Sequence, residues 1–392
     1  MNMNNKNWVS VWGNAVSIAE HHPEAYAKYI TLRYPVYIPF DGDTLRFTFD
    51  NYCGSEAVTV TRATVSAATS PVYEKMPLAC PCKKETICDI TFSKNESVTM
   101  EAHQTAVSDP VSFPVKKGMT LTVSLYFADF TLMQSAVLVT GPLSKGFFSL
   151  GDQTHADALP MDTTKTTNWF YFLSNIELMT AEENHTVICY GDSITAGAWP
   201  DYLTLLARQN PDNHTAFIRR ATSGSRVLRQ YECITYDSYG LKGTNRFPHE
   251  IPTTGADTVI IQQGINDIIH PIGIETNPFR PMSDLPTAKE LIDGYRYYIE
   301  EAKKLHLKVY MGTLLPIFGW RTYATFRDDL RNELNAWIRS AKEIDGCIDF
   351  DLALRGSENP SAFREGFDSG DHLHPSSKAY KAMAECAYRV LK

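Results

Sequence analysis

One serine, an aspartate followed three residues later by a histidine, and two glycine-bearing loops have the types and spacing that acyl transfer requires. Ser193 ends the stretch Thr186-Val187-Ile188-Cys189-Tyr190-Gly191-Asp192-Ser193, where an apolar run meets a small polar turn. A hydroxyl is a poor nucleophile until a base takes its proton and a third group holds the base. The segment Phe367-Asp368-Ser369-Gly370-Asp371-His372-Leu373-His374-Pro375 offers both. Asp371 can bind one imidazole nitrogen of His374 and leave the other for Ser193. An extended backbone up to Leu373 points His372 elsewhere, so His374 is the expected base. Competing readings are a strand followed by an ordinary N-cap at Gly191-Asp192-Ser193, and a solvated or metal-binding loop at the histidines; no further His or Cys stands nearby to complete a metal set.

The oxyanion of a tetrahedral intermediate also needs donors aimed at it. Thr222-Ser223-Gly224-Ser225-Arg226 offers Gly224, where the backbone N–H can come close, and Gly264-Ile265-Asn266-Asp267 offers the Asn266 amide. Either loop alone is a common turn. Four suitable groups at four strand ends are harder to explain as chance.

These groups need a scaffold that brings strand ends together. The unbroken apolar run at 187–190 suits a parallel strand buried on both faces, and ligands of open α/β sheets bind beyond the carboxyl ends of such strands. Strands are expected near 215–219, 258–262, 308–314 and 347–350, with helices near 200–209, 325–344 and 376–391. Thr287-Ala288-Lys289-Glu290 fits a capping box and opens a helix with Leu291, Tyr295, Ile299, Ala302 and Leu305 in one stripe. The helix at 325–344 is expected to bury Phe326, Leu330, Leu334, Trp337 and Ala341. The series of βα units implies a parallel sheet between helix layers.

Before about residue 183 the pattern has period two, as in Thr44-Leu45-Arg46-Phe47-Thr48-Phe49-Asp50 and Met119-Thr120-Leu121-Thr122-Val123-Ser124-Leu125. Broken by Asp41-Gly42-Asp43 and Lys117-Gly118 turns, it reads as an antiparallel β-sandwich, jelly-roll-like, with one short helix around Pro23 to Tyr29. The expected domains are therefore a β-sandwich accessory domain over 1–183 and an α/β domain over 184–392.

With 392 residues and a net charge of −8, the chain is long enough for two cores and a poor match for polyanions such as nucleic acid. No apolar run is long enough to span a membrane, and the polar Met1–Asn7 stretch lacks a signal-peptide pattern. The expectation is a cytoplasmic protein, or a secreted one whose leader has been removed, without nucleic-acid or membrane partners. Eight cysteines are scattered, and Cys80, Cys82 and Cys88 are read as free thiols in a polar loop in preference to a metal site.

The blocks Gly191-Asp192-Ser193-Ile194, Gly224, Gly264-Ile265-Asn266-Asp267 and Asp371-x-x-His374-Pro375 resemble the SGNH hydrolases, also called GDSL esterases and lipases. Trp199-Pro200-Asp201, Val227-Leu228-Arg229 and Asp50-Asn51-Tyr52-Cys53-Gly54 resemble a bacterial branch with an N-terminal β-domain. The resemblance implies a three-layer α/β/α, flavodoxin-like domain and metal-independent, cofactor-free ester hydrolysis. It also implies a Ser193–His374–Asp371 triad, with backbone Ser193, backbone Gly224 and Asn266 as oxyanion donors. Arg219-Arg220-Ala221 departs from the Asn-Ala-Gly common ahead of the second block, which puts the loop support and acyl pocket in question. Asp192, Arg226, Trp199, Phe318 and Trp320 are candidate substrate contacts. Arg226 closes over its loop, pairs with Asp192 or Asp267, or stands on the surface; the aromatics stack on pyranose rings or pack in the core. The expected activity is removal of a short acyl group, acetyl above all, from a small-molecule or oligosaccharide ester. A short-chain lipid or aryl esterase is the alternative within the class, and a glycan-binding protein with a degenerate hydrolase domain the alternative outside it.

Overall fold

The structure, a computed structural model, describes residues 6–20 and 25–392. The chain divides into two compact units, one up to Thr186 together with Pro211–Ile218, the other Val187–Asn210 together with Arg219–Lys392.

The N-terminal unit is built mainly of antiparallel β-sheets. One sheet orders Lys6–Gly13, Leu173–Ala181, Gly42–Asp50 and Thr105–Val107, with Val111–Val115 also paired to Gly42–Asp50. A second runs Lys165–Thr167, Gly146–Leu150, Ile30–Tyr37, Thr120–Phe127, Arg62–Ala67 and Cys88–Ile90. The period-two pattern does its expected work in Gly42–Asp50, where Leu45, Phe47 and Phe49 are fully buried.

Thr120–Phe127 departs from that alternation, because its polar face is buried too. Thr122 Oγ1 bonds Ser66 Oγ at 2.6 Å and Ser124 Oγ accepts from Arg33 Nε at 2.9 Å. The buried Arg33 also donates to the carbonyls of Cys80, Gln153 and Ala156. The loop expected to be polar around Cys80 is therefore drawn inward: Cys80 packs with Met76, Phe147 and Leu159, and Cys82 is buried as well. Burial pushes the Cys80 thiol up to about 12, so it behaves as a small apolar group. The helix expected around Pro23 to Tyr29 begins outside the described residues. Where it is described, Tyr26–Ala27 is a short strand paired with Thr131–Leu132.

In the C-terminal part the strands are β1 (His185–Gly191), β2 (Thr215–Ala221), β3 (Ala256–Gln262), β4 (Lys308–Gly312) and β5 (Gly346–Ile348), ordered β2-β1-β3-β4-β5. β4 runs parallel to both β3 and β5. This is the flavodoxin-like order, and it places a topological switch point at β1 and β3. The helices are α1 (Ser193–Ala196), α2 (Trp199–Arg208), α3 (Gly243–Glu250), α4 (Ile265–Ile269), α5 (Ala288–Lys304), α6 (Thr325–Ser340), α7 (Phe350–Leu354) and α8 (Ser377–Leu391).

Helix α5 starts on the expected capping box, with the Thr287 side chain accepting from Glu290 N–H and the Glu290 carboxylate accepting from Thr287 N–H. Its buried stripe holds Leu291, Tyr295, Ile299 and Ala302, with Tyr298 in addition, whereas Leu305 ends the helix exposed. Helix α6 corrects the apolar-face reading more strongly. It buries Arg327, Asp328, Arg331, Leu334, Asn335 and Ile338, while Phe326 is exposed. The reason lies in the loop carbonyls that α6 covers. Arg327 donates to Ile268 O and Pro271 O, and Arg331 Nη1 and Asn335 Nδ2 donate to Leu314 O at 3.2 and 2.8 Å.

Helix α3 lies where the sequence suggests only a loop, since Gly243 opens it and Pro248 sits inside it. Tertiary contacts hold it instead: Phe247 stacks on Tyr298 at 4.5 Å, and the buried Arg246–Glu250 pair closes at 2.8 Å. The arginines that break the expected motif serve the same end. Arg219 pairs with Asp201 of α2 at 2.7 Å, and Arg220 donates to Glu250 O of α3 at 3.2 Å. Successive β2 residues thus tie down helices on opposite faces of the sheet.

Arg331, almost wholly buried, bonds Asp328, Asp351 and Leu314 O. Removing one partner of a buried pair leaves an uncompensated charge, which costs about 3–5 kcal/mol. Arg331→Ala is therefore expected to destabilise the α/β unit by about that amount in urea unfolding. A loss below about 1 kcal/mol would show that the pair is dispensable.

Candidate active site

β1 delivers its serine at the sheet's carboxyl edge. Asp192 caps α1 by accepting from Ile194 N–H at 3.1 Å, and of residues 190–200 only Ser193 is not buried. The turn is held from below: Thr195 Oγ1 donates to Gln262 Oε1 at 3.1 Å and accepts from Trp199 Nε1 at 3.3 Å. Trp199 has no exposed surface and packs on Phe350 at 5.5 Å, so it is a core side chain and not a sugar platform. Asp192 is likewise enclosed and engaged as a cap, which removes it from the substrate contacts.

Ser193 Oγ lies 2.9 Å from His374 Nε2, and His374 Nδ1 lies 2.6 Å from Asp371 Oδ2. The other oxygen, Asp371 Oδ1, accepts from the N–H groups of Leu373 and His374 at 3.0 and 2.8 Å. A carboxylate only accepts, so Nδ1 carries the proton and Nε2 faces the serine as an acceptor. Burial pushes the Asp371 carboxyl up, but the His374 ring and the amides of His374 and Leu373 outweigh it and hold the group at about 2. Asp371 therefore stays ionised throughout the mildly acidic range.

Beyond the end of β2, Gly224 has φ +77, and a Cβ there would stand 2.3 Å from the Tyr239 ring. Only glycine satisfies both that backbone and that contact. Asn266 on α4 donates one amide hydrogen to Ser225 O at 3.0 Å, leaving its second hydrogen for a ligand. Next to it, Asp267 accepts from Val227 N–H at 2.8 Å and from Leu228 N–H at 3.1 Å. The Gly224 loop and the Asn266 turn are thus braced against each other by three hydrogen bonds.

Because the Asp267 carboxylate is taken by amides, Arg226 pairs elsewhere. Its Nη1 reaches Asp284 at 3.1 Å and its guanidinium lies over Tyr231 at 4.3 Å. It is buried, and the sequence-based pairing with Asp192 or Asp267 is corrected accordingly. Beyond β4, Phe318 is exposed and meets Tyr323 edge-on at 5.1 Å, while Trp320 is half-buried with Arg321 over its ring. Of the three aromatics considered, Phe318 and Trp320 retain accessible surface.

The tyrosine wall beside Gly224 was missed from sequence. Tyr239 stacks on His270 at 5.2 Å and on Tyr236 at 5.6 Å, and Arg280 lies over Tyr236 at 4.3 Å. Burial holds the His270 ring well below the usual imidazole range. Its one sequence signal is the recurrence of Tyr231, Tyr236 and Tyr239 in a polar loop after a strand end.

Residues 189–382 match the model of the GDSL-like lipase/acylhydrolase family. Through this segment the chain belongs to that family. All four motif blocks fall within it, and the family together with the site supports an ester hydrolase. Among solved structures, a GDSL-like lipase from Bacteroides thetaiotaomicron is 20% identical, covers 54% of this chain and 88% of its own, and gives a TM-score of 0.39. An acetylxylan esterase from Geobacillus stearothermophilus is 17% identical, covers 52% of this chain and 93% of its own, and gives a TM-score of 0.40. No curated protein matches the chain.

The enclosed Asp192 yields a pH test. Burial pushes its carboxyl up to about 7 from an ordinary value of 3.8. A raised carboxyl pKa means that the folded state keeps a proton the unfolded chain has released. Its contribution is thus full below about pH 4 and is lost as pH rises towards 7. Asp192→Asn keeps the oxygen that caps Ile194 and removes this dependence. Between pH 4 and 7 the variant should gain stability relative to the parent by up to about 4 kcal/mol, as read by denaturant unfolding. Parallel pH profiles for the two proteins would contradict the assignment.

Proposed function

We propose that this hydrolase is a serine esterase that cleaves short-chain esters, O-acetyl groups on carbohydrate above all, through an acyl-enzyme. The observation that carries the reading is the continuous relay from Ser193 Oγ through His374 to Asp371, at 2.9 and 2.6 Å. In the proposed mechanism Ser193 attacks the ester carbonyl as His374 Nε2 takes its proton. The Ser193 and Gly224 amides and the free Asn266 hydrogen stabilise the oxyanion. His374, now an imidazolium oriented by Asp371, returns the proton to the leaving alcohol. Water then repeats the sequence on the acyl-enzyme, releasing the acid and regenerating Ser193. No metal is needed for any of these steps.

A short acyl group agrees with an oxyanion side walled by Tyr239 against Gly224. A carbohydrate alcohol agrees with the accessible ring of Phe318 beside the histidine loop, since aromatic faces suit the apolar faces of sugar rings.

Ser193→Ala should lower kcat on an acetyl ester by about four to six orders of magnitude, with the circular-dichroism spectrum unchanged. Retention of activity within about tenfold would overturn the nucleophile assignment. Chain-length profiling from acetyl to octanoyl esters, followed by acetate release from acetylated oligosaccharides, separates the carbohydrate reading from a lipid or aryl esterase.

A further inference from the structure

The loop from Asp368 to Pro375 carries two aspartate–histidine pairs, and the mechanism uses only one. In the second, His372 Nδ1 lies 2.5 Å from Asp368 Oδ2, while Asp368 Oδ1 accepts from the N–H groups of Gly370 and His372 at 2.8 and 2.9 Å. His372 holds φ +64, a left-handed conformation that a non-glycine residue adopts at a cost. Its ring lies against the backbone of Gly319, where a Cβ would stand 2.8 Å from His372 Cγ. Gly319 itself has φ +93, so backbone conformation and close approach both require glycine there. One edge of the imidazole is thus fixed by a carboxylate and one face by a loop, yet about half of the side chain (51%) remains exposed.

The position of this ring follows from the sheet order. His374 meets Ser193 at the end of β1, whereas His372 meets the Gly319 loop beyond the end of β4. β3, whose end supplies Asn266, lies between them. In the proposed mechanism the leaving oxygen must face His374, because that ring returns the proton. An alcohol part that runs from there along the histidine loop on the β4 side meets His372 and the exposed Phe318 next to Gly319.

We propose that His372 is a substrate-binding residue that hydrogen-bonds, through Nε2, a hydroxyl on the alcohol side of the scissile ester. With Nδ1 turned to the Asp368 carboxylate, Nε2 is the ring nitrogen left to hydrogen-bond a sugar hydroxyl. This selects polyhydroxylated alcohols over simple or aryl ones, and it rests on the esterase reading given above.

The test compares kcat/KM on acetylated xylo-oligosaccharide with that on 4-nitrophenyl acetate, whose alcohol has no neighbouring hydroxyl. His372→Gly relieves the left-handed backbone and deletes Nε2. It should lose about 10- to 100-fold on the oligosaccharide and stay within about twofold on the aryl ester. His372→Asn, which also tolerates positive φ, gives the same comparison if the glycine variant fails to fold. An equal loss on both esters would overturn the proposal by showing that His372 only supports the His374 loop. Unchanged rates on both would overturn it as well. A parent enzyme that cleaves the aryl ester and never the oligosaccharide would instead overturn the carbohydrate reading, and the role of His372 with it.

Discussion

The constraint on which the site depends is the brace between two strand-end loops. Asp267 accepts the amides of Val227 and Leu228, and Asn266 donates to Ser225 O. The proposed oxyanion donors belong to three separate loops, and sheet register alone would leave their mutual distances loose. Preorganised donors are effective because they need not move as charge develops. The brace satisfies that need with a fully buried carboxyl, which burial pushes up to about 6 although both amides favour its ionised form. Two acidic residues adjacent to the proposed catalytic groups, Asp192 and Asp267, are thus occupied with loop geometry.

The α/β unit is also tied together by buried ion pairs. Arg219–Asp201, Arg246–Glu250 and Arg331–Asp351 each close within 2.9 Å with side chains almost wholly excluded from water. Such pairs add little net stability over apolar packing, because desolvation offsets much of the attraction. What they supply here is direction: Arg219 ties β2 to α2, Arg246 also donates from α3 to Gly191 O of β1, and Arg331 ties α6 to α7, by geometry that an apolar contact would not specify.

The family and the residues that meet at the candidate site were legible in the sequence because each motif is local. Gly191-Asp192-Ser193, Gly264-Ile265-Asn266-Asp267 and Asp371-x-x-His374 are short runs at strand ends, and the strands themselves show in their apolar runs. Partner choice was not legible. Arg226 finds Asp284, far along the chain, because the nearer Asp267 is already taken by amides. Trp199 looks like a site aromatic from its position two residues beyond Gly197, yet it starts α2 and is buried on Phe350. The α6 face misled in a different way, since periodicity counts apolar residues and the loops beneath this helix call for hydrogen-bond donors. Helix α3, with an internal proline, forms for tertiary reasons that no propensity reports.

The central claim is covalent: the acyl group passes through Ser193 Oγ. Rapid acid quench during turnover of an acetyl ester, followed by peptide mass spectrometry, tests it most directly. One acetyl group on the peptide that contains Ser193, absent when the chain is mixed with acetate alone, is the result the structure predicts. Turnover with no acyl adduct on that serine, or with the adduct on another side chain, would contradict it.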